Sequence, residues 1–413
     1  MNRPALSINP DRLIERLNRL GEKGALSGGG CCRLALSDED RQGRDLVVGW
    51  MRELGLKVSI DGIGNVMGLR PGSEDGPPVM VGSHIDTVRT GGLYDGCLGV
   101  LGGLEVVETL NETGITTKRP LAVTFFTNEE GARFAPDMMG SAVHQGFLDL
   151  DKALGLTSIE GDRVGDELEQ IGYRGDAETG QLRAHCYIEL HIEQGPVLDA
   201  EGITIGIVEK VQGISWSELT IEGVSNHAGT TPMALRCDAG VVASRVAVEA
   251  REMAERMGGD QVATVGVTEL EPNQVNVIPR RAVMTVDLRN TDERLLQDAE
   301  SHLFAFAESA AQEEGAALEK RTLARFEPVL FDQQMVDTVE RNAKQLGYST
   351  RRLPSGAGHD AQMMAPNCPT AMIFVPSRDG ISHNIEEFTT PEDIEAGANV
   401  LLHVVLDKAG GGQ

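Results

Sequence analysis

VMVGSHIDTVRTGGLYDGCLGV, residues 79–100, is the stretch whose reading decides the fold. Its apolar run, Val79, Met80 and Val81, stops at Gly82, and three side chains able to hold a metal follow: His84, Asp86 and Asp95. The glycines among them allow tight turns, so side chains from different loops can be brought to one point. A buried strand that ends in an imidazole and acids predicts a site at the carboxyl edge of an α/β sheet.

The theme recurs twice. LAVTFFTNEE (121–130) is a β-rich run ending in Glu129 and Glu130, and CYIELHIEQG (186–195) is a strand ending in Glu189, His191, Glu193 and Gln194. Around them, Asn9-Pro10 ahead of Leu13, Ile14, Leu17 and Leu20 predicts a capped amphipathic helix. Ser37 begins a second helix, with Asp40 as an imperfect capping box and Gly55 as its stop. Apolar spacing predicts a helix over Val100–Leu110, and the acidic segment 146–180 reads as surface helices and loops.

From Gly213 the pattern changes. ISWSELTIEG, a helix over Asp238–Met257, VATVGVTEL, AVMTVDLRN, a helix over Asp292–Glu314 and LEKRTLARF follow in the order βαββαβ, the split unit of a ferredoxin-like domain. Beyond Phe326 the α/β alternation returns: a helix over Met335–Leu346, YSTRRL, the glycine-rich SGAGHDA, TAMIFVP, the loop RDGISHN and a closing helix Pro391–Lys408. The prediction is a two-domain α/β chain. Residues 1–212 and 327–413 form a catalytic domain with a mixed sheet, and 213–326 an inserted α+β lid.

Composition narrows the function. At 413 residues two domains are the prior, and 40% hydrophobic with 24% charged residues is globular. A net charge of −26 leaves no basic face for nucleic acid. The N-terminus lacks the apolar core of a signal peptide and no run is long enough to span a bilayer. Six cysteines without CxxC spacing read as reduced thiols, so a soluble cytoplasmic protein is expected.

A two-metal hydrolytic centre needs imidazole and carboxylate ligands, one carboxylate shared, and another free to act as base. His84, Asp95, Glu130, His191 and His383 are the five candidate ligands, and Glu129 is the carboxylate left over. No HExxH helix is present.

GSHIDTV, GGLYDGCLGV, TNEEGARF, ELHIEQGPVL, SNHAGTTPM, GAGHDA and GISHN, in this order, closely resemble the M20-type metal-dependent amidohydrolases. Within these the chain is similar to the carbamoyl-amidase branch: N-carbamoyl-L-amino acid amidohydrolases, allantoate amidohydrolases and β-ureidopropionases. The resemblance implies a homodimer with two divalent ions per subunit, Zn or else Mn, Co or Ni. It implies hydrolysis of an N-carbamoyl amino acid or a related ureide to amino acid, ammonia and carbon dioxide. Asp95 would bridge the ions, His84 and His191 would complete one site, and Glu130 and His383 the other. Glu129 would be the general acid/base, and Asp86 would orient His84 through its other ring nitrogen. Gln194, His227, Asn276 and Arg289 would bind substrate, with His227 reaching the partner subunit's site to hold the oxyanion, and His359 would support. Allantoate and N-carbamoyl-β-alanine stand as alternative substrates. An aminoacylase or dipeptidase, or a binding protein that has lost activity, ranks below them.

Plainer readings exist for each residue. His84 or His383 alone is an ordinary loop histidine, Glu129-Glu130 an exposed acidic turn, and His191, between Leu190 and Ile192, a core histidine. Arg289 could simply pair with Asp292. Cys97 reads as a small inert residue under a helix, since no base is placed to activate it. His144, His185, His302 and His403 read as structural or exposed, and SGGG at 27–30 lacks the GK[ST] of a phosphate loop.

Overall fold

The computed structural model describes residues 6–411; the outermost ends of the expected catalytic domain, 1–5 and 412–413, lie outside them. The chain forms two compact units, one running to Glu209 and resuming at Leu330, the other Lys210–Val329.

The larger unit opens with α1 (Pro10–Gly21), α2 (Asp38–Glu53), β1 (Lys57–Ile60), β2 (Val66–Arg70), β3 (Val79–His84), α3 (Cys97–Glu112) and β4 (Leu121–Phe126). Three short helices follow, α4 (Met139–Gln145), α5 (Leu150–Gly155) and α6 (Val164–Ile171), then β5 (Cys186–Ile192), α7 (Val197–Glu201) and β6 (Ile205–Val211). Local chemistry explains the starts. Asn9 accepts the Arg12 N–H at the head of α1, and Ser37 accepts that of Asp40 in α2. The return half of the capping box lands one residue early, because Asp40 accepts from Leu36 N at 2.8 Å.

In the smaller unit β7 (Gly213–Glu222), α8 (Ala239–Met257), β8 (Val262–Thr264), β9 (Thr268–Glu271), β10 (Arg281–Asn290), α9 (Glu293–Glu314) and β11 (Ala317–Phe326) follow the predicted βαββαβ order with its second strand split in two. The sheet order is β11-β7-β10-β8, with β9 also on β10, and every pairing is antiparallel. Residues alternate strictly buried and half-buried along β10, and its Met284, Val286 and Leu288 meet Val242 and Val246 of α8 and Leu296 and Leu303 of α9. VATVGVTEL, expected as one strand, is two. Thr264 pairs with Asp287 but Thr268 with Met284, so four steps on one side match three on the other, the signature of a bulge.

The larger unit closes with β12 (Val329–Leu330), α10 (Gln333–Gln345), β13 (Thr350–Ser355), α11 (Asp360–Met364), β14 (Thr370–Val375) and α12 (Pro391–Ala409). Its mixed sheet has nine strands among the described residues, in the order β1-β2-β4-β3-β5-β14-β6-β12, with β13 on β6. The central four, β4, β3, β5 and β14, are mutually parallel. All four are buried along their whole length, which is why each reads as a continuous apolar run.

Period-two alternation along β5 then sorts its side chains. Leu190 lies over Gly102 of α3 on one face, and Glu189 accepts the N–H of Ala361 in α11 on the other. Register places His84 opposite Phe126 and His191 opposite Phe374, so the strand ends are aligned at one edge.

Candidate metal centre at the carboxyl edge

Five side chains converge where β3, β4 and β5 end. His84, Asp95 and His191 form one group of potential ligands, and Asp95, Glu130 and His383 a second; within each, the ligand atoms lie within 4.8 Å of one another. Asp95 belongs to both, and its two oxygens are divided between them. Oδ1 stands 3.1 Å from His191 Nε2 and 3.6 Å from His84 Nε2, while Oδ2 stands 3.3 Å from His383 Nε2. His383 Nε2 is also 3.3 Å from Glu130 Oε2. Glu129 belongs to neither group; its Oε2 lies 3.4 Å from His84 Nε2.

The backbone makes this possible at named places. Gly96, at φ +63°, passes so close to His84 that a Cβ would sit 2.4 Å from the ring. No other residue fits there, and the turn that presents Asp95 depends on it. His383, at φ +53°, and Gln194, at φ +57°, are non-glycine residues in left-handed backbone beside the centre.

Hydrogen bonding tests whether these residues suit a metal. Nδ1 of His84 reaches Asp86 O, and Nδ1 of His191 reaches Ile192 O, both at 2.9 Å. A carbonyl oxygen only accepts, so Nδ1 carries the hydrogen and Nε2 of the neutral ring presents a lone pair. Those lone pairs face an Asp95 oxygen that also only accepts. The N–H of Gly96, 3.2 Å from His191 Nε2, is consistent with that tautomer. Glu130 Oε1 is buried with no hydrogen-bond partner among the described residues. Acceptors facing acceptors, with an orphan carboxylate oxygen beside them, fit cations held between them.

Charge tells the same story. Burial works against a proton on His84, but Glu129, Asp95, Asp86 and Glu130 together outweigh it and raise its pKa well above normal. Burial likewise favours neutral Asp95, yet His191, His383 and His84, once they take up positive charge, hold it well below the usual carboxylate range. His383, between Asp95 and Glu130, is raised to about 10. Glu129 is raised well above normal by burial, against the pull of His84 and with repulsion from Asp360, Glu130 and Asp95. The pocket demands positive charge.

The outer residues differ from expectation in one respect. Asp86 touches His84 with its main-chain carbonyl, not with its carboxylate. The carboxylate accepts instead from the N–H groups of Glu129 and Glu130, each at 3.3 Å. Gln194 lies on the shared ligand, donating to Asp95 Oδ2 at 2.8 Å. His359 packs its ring 4.5 Å from that of His191 and bonds Ser355 Oγ through Nε2 at 2.8 Å.

Two buried acids in the surroundings were given no role from sequence. Glu189 accepts from Ser83 Oγ at 2.6 Å and lies with His191 and His359 in a third ligand group. Its signal was its place two residues before His191, on the same strand face. Glu387, in the loop after His383, carried no periodic signal at all. Cys97 is buried against Arg33, and burial pushes its thiol up to about 11.

His227, Asn276 and Arg289 belong to the smaller unit. His227 Nδ1 accepts from Gly229 N at 3.1 Å, and Asn276 O accepts from Ala228 N at 2.9 Å, so the two loops that carry them are tied together. Arg289 bonds Asp287, its neighbour on the same face of β10, at 2.9 Å and lies 5.7 Å over Trp216.

Residues 80–407 match the family described as peptidase family M20/M25/M40. The chain is 43% identical to an N-carbamoyl-L-amino-acid amidohydrolase of Rhizobium meliloti over 97% of each chain. It is 42% identical to one of Geobacillus stearothermophilus over 98% of this chain and all of the relative (100%). A crystal structure of an amidase of the hydantoinase/carbamoylase family from Burkholderia multivorans superposes with a TM-score of 0.95 at 45% identity, covering 98% of this chain and 99% of that one. The chain therefore belongs to the metal-dependent hydrolases of peptidase family M20/M25/M40, in their hydantoinase/carbamoylase branch.

Proposed function

We propose that this enzyme hydrolyses the ureido C–N bond of N-carbamoyl-L-amino acids, using two divalent cations per subunit that share Asp95. The observation that carries the two-cation reading is the division of the Asp95 oxygens between two ligand groups. Near-full-length likeness to two N-carbamoyl-L-amino-acid amidohydrolases supports the substrate class. His84 and His191 would hold one cation and Glu130 and His383 the other, and imidazole-carboxylate sets suit Zn, Mn, Co or Ni. When bound, such cations would polarise a carbonyl and lower the pKa of water to about 7.

The chain's own groups do the rest. Glu129, unligated and with a raised pKa, accepts the proton of the attacking water and returns it to the leaving amino nitrogen. Asp86 holds the main chain of Glu129 and Glu130 while that proton moves. Arg289 pairs with the substrate carboxylate through its planar fork, with Asn276 and Gln194 as further binding groups. His227 stabilises the developing oxyanion in the site of a second copy. One water is consumed, and the carbamic acid released falls to ammonia and carbon dioxide.

A homodimer is part of this reading, and the exposed Val241 and Val248 on α8 support a contact between copies. The free cysteines suit a reducing, cytoplasmic setting. Among the described residues no helix is long and apolar enough to cross a membrane.

The test is ammonia release from a panel of N-carbamoyl-L-amino acids, N-carbamoyl-β-alanine and allantoate, after chelation and reloading with Zn²⁺, Mn²⁺, Co²⁺ or Ni²⁺. Metal-dependent release, fastest with an N-carbamoyl-L-α-amino acid, is expected. No release from any of them by metal-loaded protein would end the proposal.

A further inference from the structure

Glu387 touches no candidate ligand atom, yet it joins the two loops that the centre depends on. It is 6% exposed, and its Oε1 accepts the main-chain N–H groups of both Tyr94 and Asp95 at 3.2 Å. Its Oε2 accepts from Ser382 Oγ at 3.0 Å, and that hydroxyl lies 3.4 Å from Asp95 Oδ2. Ser382 precedes His383, and Glu387 N closes the same loop onto Asn384 O at 3.0 Å. One carboxylate thus holds the Asp95 turn with one oxygen and the His383 loop with the other, across 292 residues of sequence.

The fit leaves no slack. A Cβ on Gly92 would fall 2.0 Å from Glu387 Oε1 and 2.5 Å from its Cβ, so the Asp95 turn is packed directly on the carboxylate. Bonds from N–H groups to a carboxylate are stronger than neutral ones, and burial strengthens them further. Removing the acceptor strands the buried N–H of Asp95 and the half-buried N–H of Tyr94 at the turn that aims Asp95.

We infer that Glu387 is a positioning residue for the metal centre. It fixes the Asp95 main chain so that the two carboxylate oxygens stay divided between the ligand groups, and it sets the distance of His383 from that carboxylate. This rests on the reading of Asp95 as a shared ligand. Outer partners of metal ligands are worth roughly 10–100-fold in metal affinity or activity, which is the loss expected here.

The test compares Glu387→Ala, Glu387→Gln and Gly92→Ala with wild type and Asp95→Ala, titrating Mn²⁺ into chelator-stripped protein by calorimetry, with melting curves to verify folding. Glu387→Ala should weaken Mn²⁺ binding by roughly 10–100-fold. Glu387→Gln should stay near wild type, because its amide oxygen still accepts both N–H groups and its NH₂ can donate to Ser382. Gly92→Ala keeps the carboxylate but pushes it off the turn, and should weaken binding as Glu387→Ala does. Wild-type affinity in both Glu387→Ala and Gly92→Ala, with binding lost in Asp95→Ala, overturns the inference and leaves the site reading standing. Unchanged binding in Asp95→Ala overturns the site reading itself. If Glu387→Ala does not fold, Gly92→Ala and Glu387→Gln decide: wild-type affinity in Gly92→Ala, or a Glu387→Gln loss as large as that of Gly92→Ala, overturns it.

Discussion

His191 Nε2 and Asp95 Oδ1 face each other at 3.1 Å with the imidazole hydrogen committed to the opposite nitrogen. The Gly96 N–H meets that lone pair at 3.2 Å but leaves the Asp95 oxygen beside it uncompensated, so a cation or a proton between the two is favoured. Asp95→Ala should therefore cost more than the roughly 10–100-fold that loss of an outer partner costs, and should lower both metal sites together. Metal analysis of the purified variant checks this. Retention of two ions per chain would remove Asp95 from the shared position.

Glu129 is the carboxylate that both ligand groups leave over, and the proton transfer proposed for it is separable from metal holding. Glu129→Gln should lower kcat by about 10²–10⁴-fold while metal content stays that of wild type. Normal turnover, or loss of metal in step with activity, would contradict the acid/base assignment.

Asp86 offers a finer measurement, because its carboxylate binds main chain and not His84. Asp86→Asn keeps one acceptor for the N–H groups of Glu129 and Glu130, whereas Asp86→Ala keeps none. Activity should fall in the order wild type, Asn, Ala, with the Ala variant down roughly 10–100-fold. Equal activities across the three would show that the two N–H groups hold themselves.

The fold and most of the centre were legible because both follow from burial. Strands covered on two faces must be apolar throughout, so the runs at Val79, Leu121 and Cys186 stand out, and the first polar side chains beyond them mark the sheet edge. His383 and Glu387 sit in a loop where neither period two nor period 3.6 applies, so local sequence is silent about them. His383 stands among the candidate ligands by residue type alone, and its place beside Glu130 is what the family's motifs imply. Period two also supplies an ion partner for Arg289, because Asp287 shares its face of β10. The role of the Asp86 carboxylate could not be read, because it depends on where the main chain of a different strand end passes. The bulge between Thr264 and Thr268 is equally invisible, since Gly266 alone does not say on which strand the extra residue falls.

Arg289 lies beside Asp287 and over Trp216, so its guanidinium is held flat before substrate arrives. Arg289→Lys keeps the charge and loses the fork, and Arg289→Ala loses both. KM for a carboxylate-bearing substrate should rise in both, more in Ala, with a smaller change for the corresponding carbamoyl amine. Steady-state kinetics on the matched pair of substrates separates the cases. An equal rise for both would mean that Arg289 supports the strand instead of the carboxylate.

His144 carries the stability prediction. It is buried beneath Phe126, with ring centroids 5.7 Å apart, and burial pulls its pKa down to about 4 against a weaker opposing main-chain bond at Leu182. The unfolded chain holds this proton below a pKa of about 6.5, so between pH 6.5 and 4 the unfolded state binds more protons than the folded one. The stability contributed by neutral His144 is thus complete above pH 6.5 and is lost as pH falls through 4. The full loss is of order 3 kcal/mol. His144→Gln cannot titrate, so the difference in urea-unfolding free energy, wild type minus variant, should shrink by about 3 kcal/mol from pH 7 to pH 4. A constant difference across that range would mean that the imidazole finds water or a partner when charged.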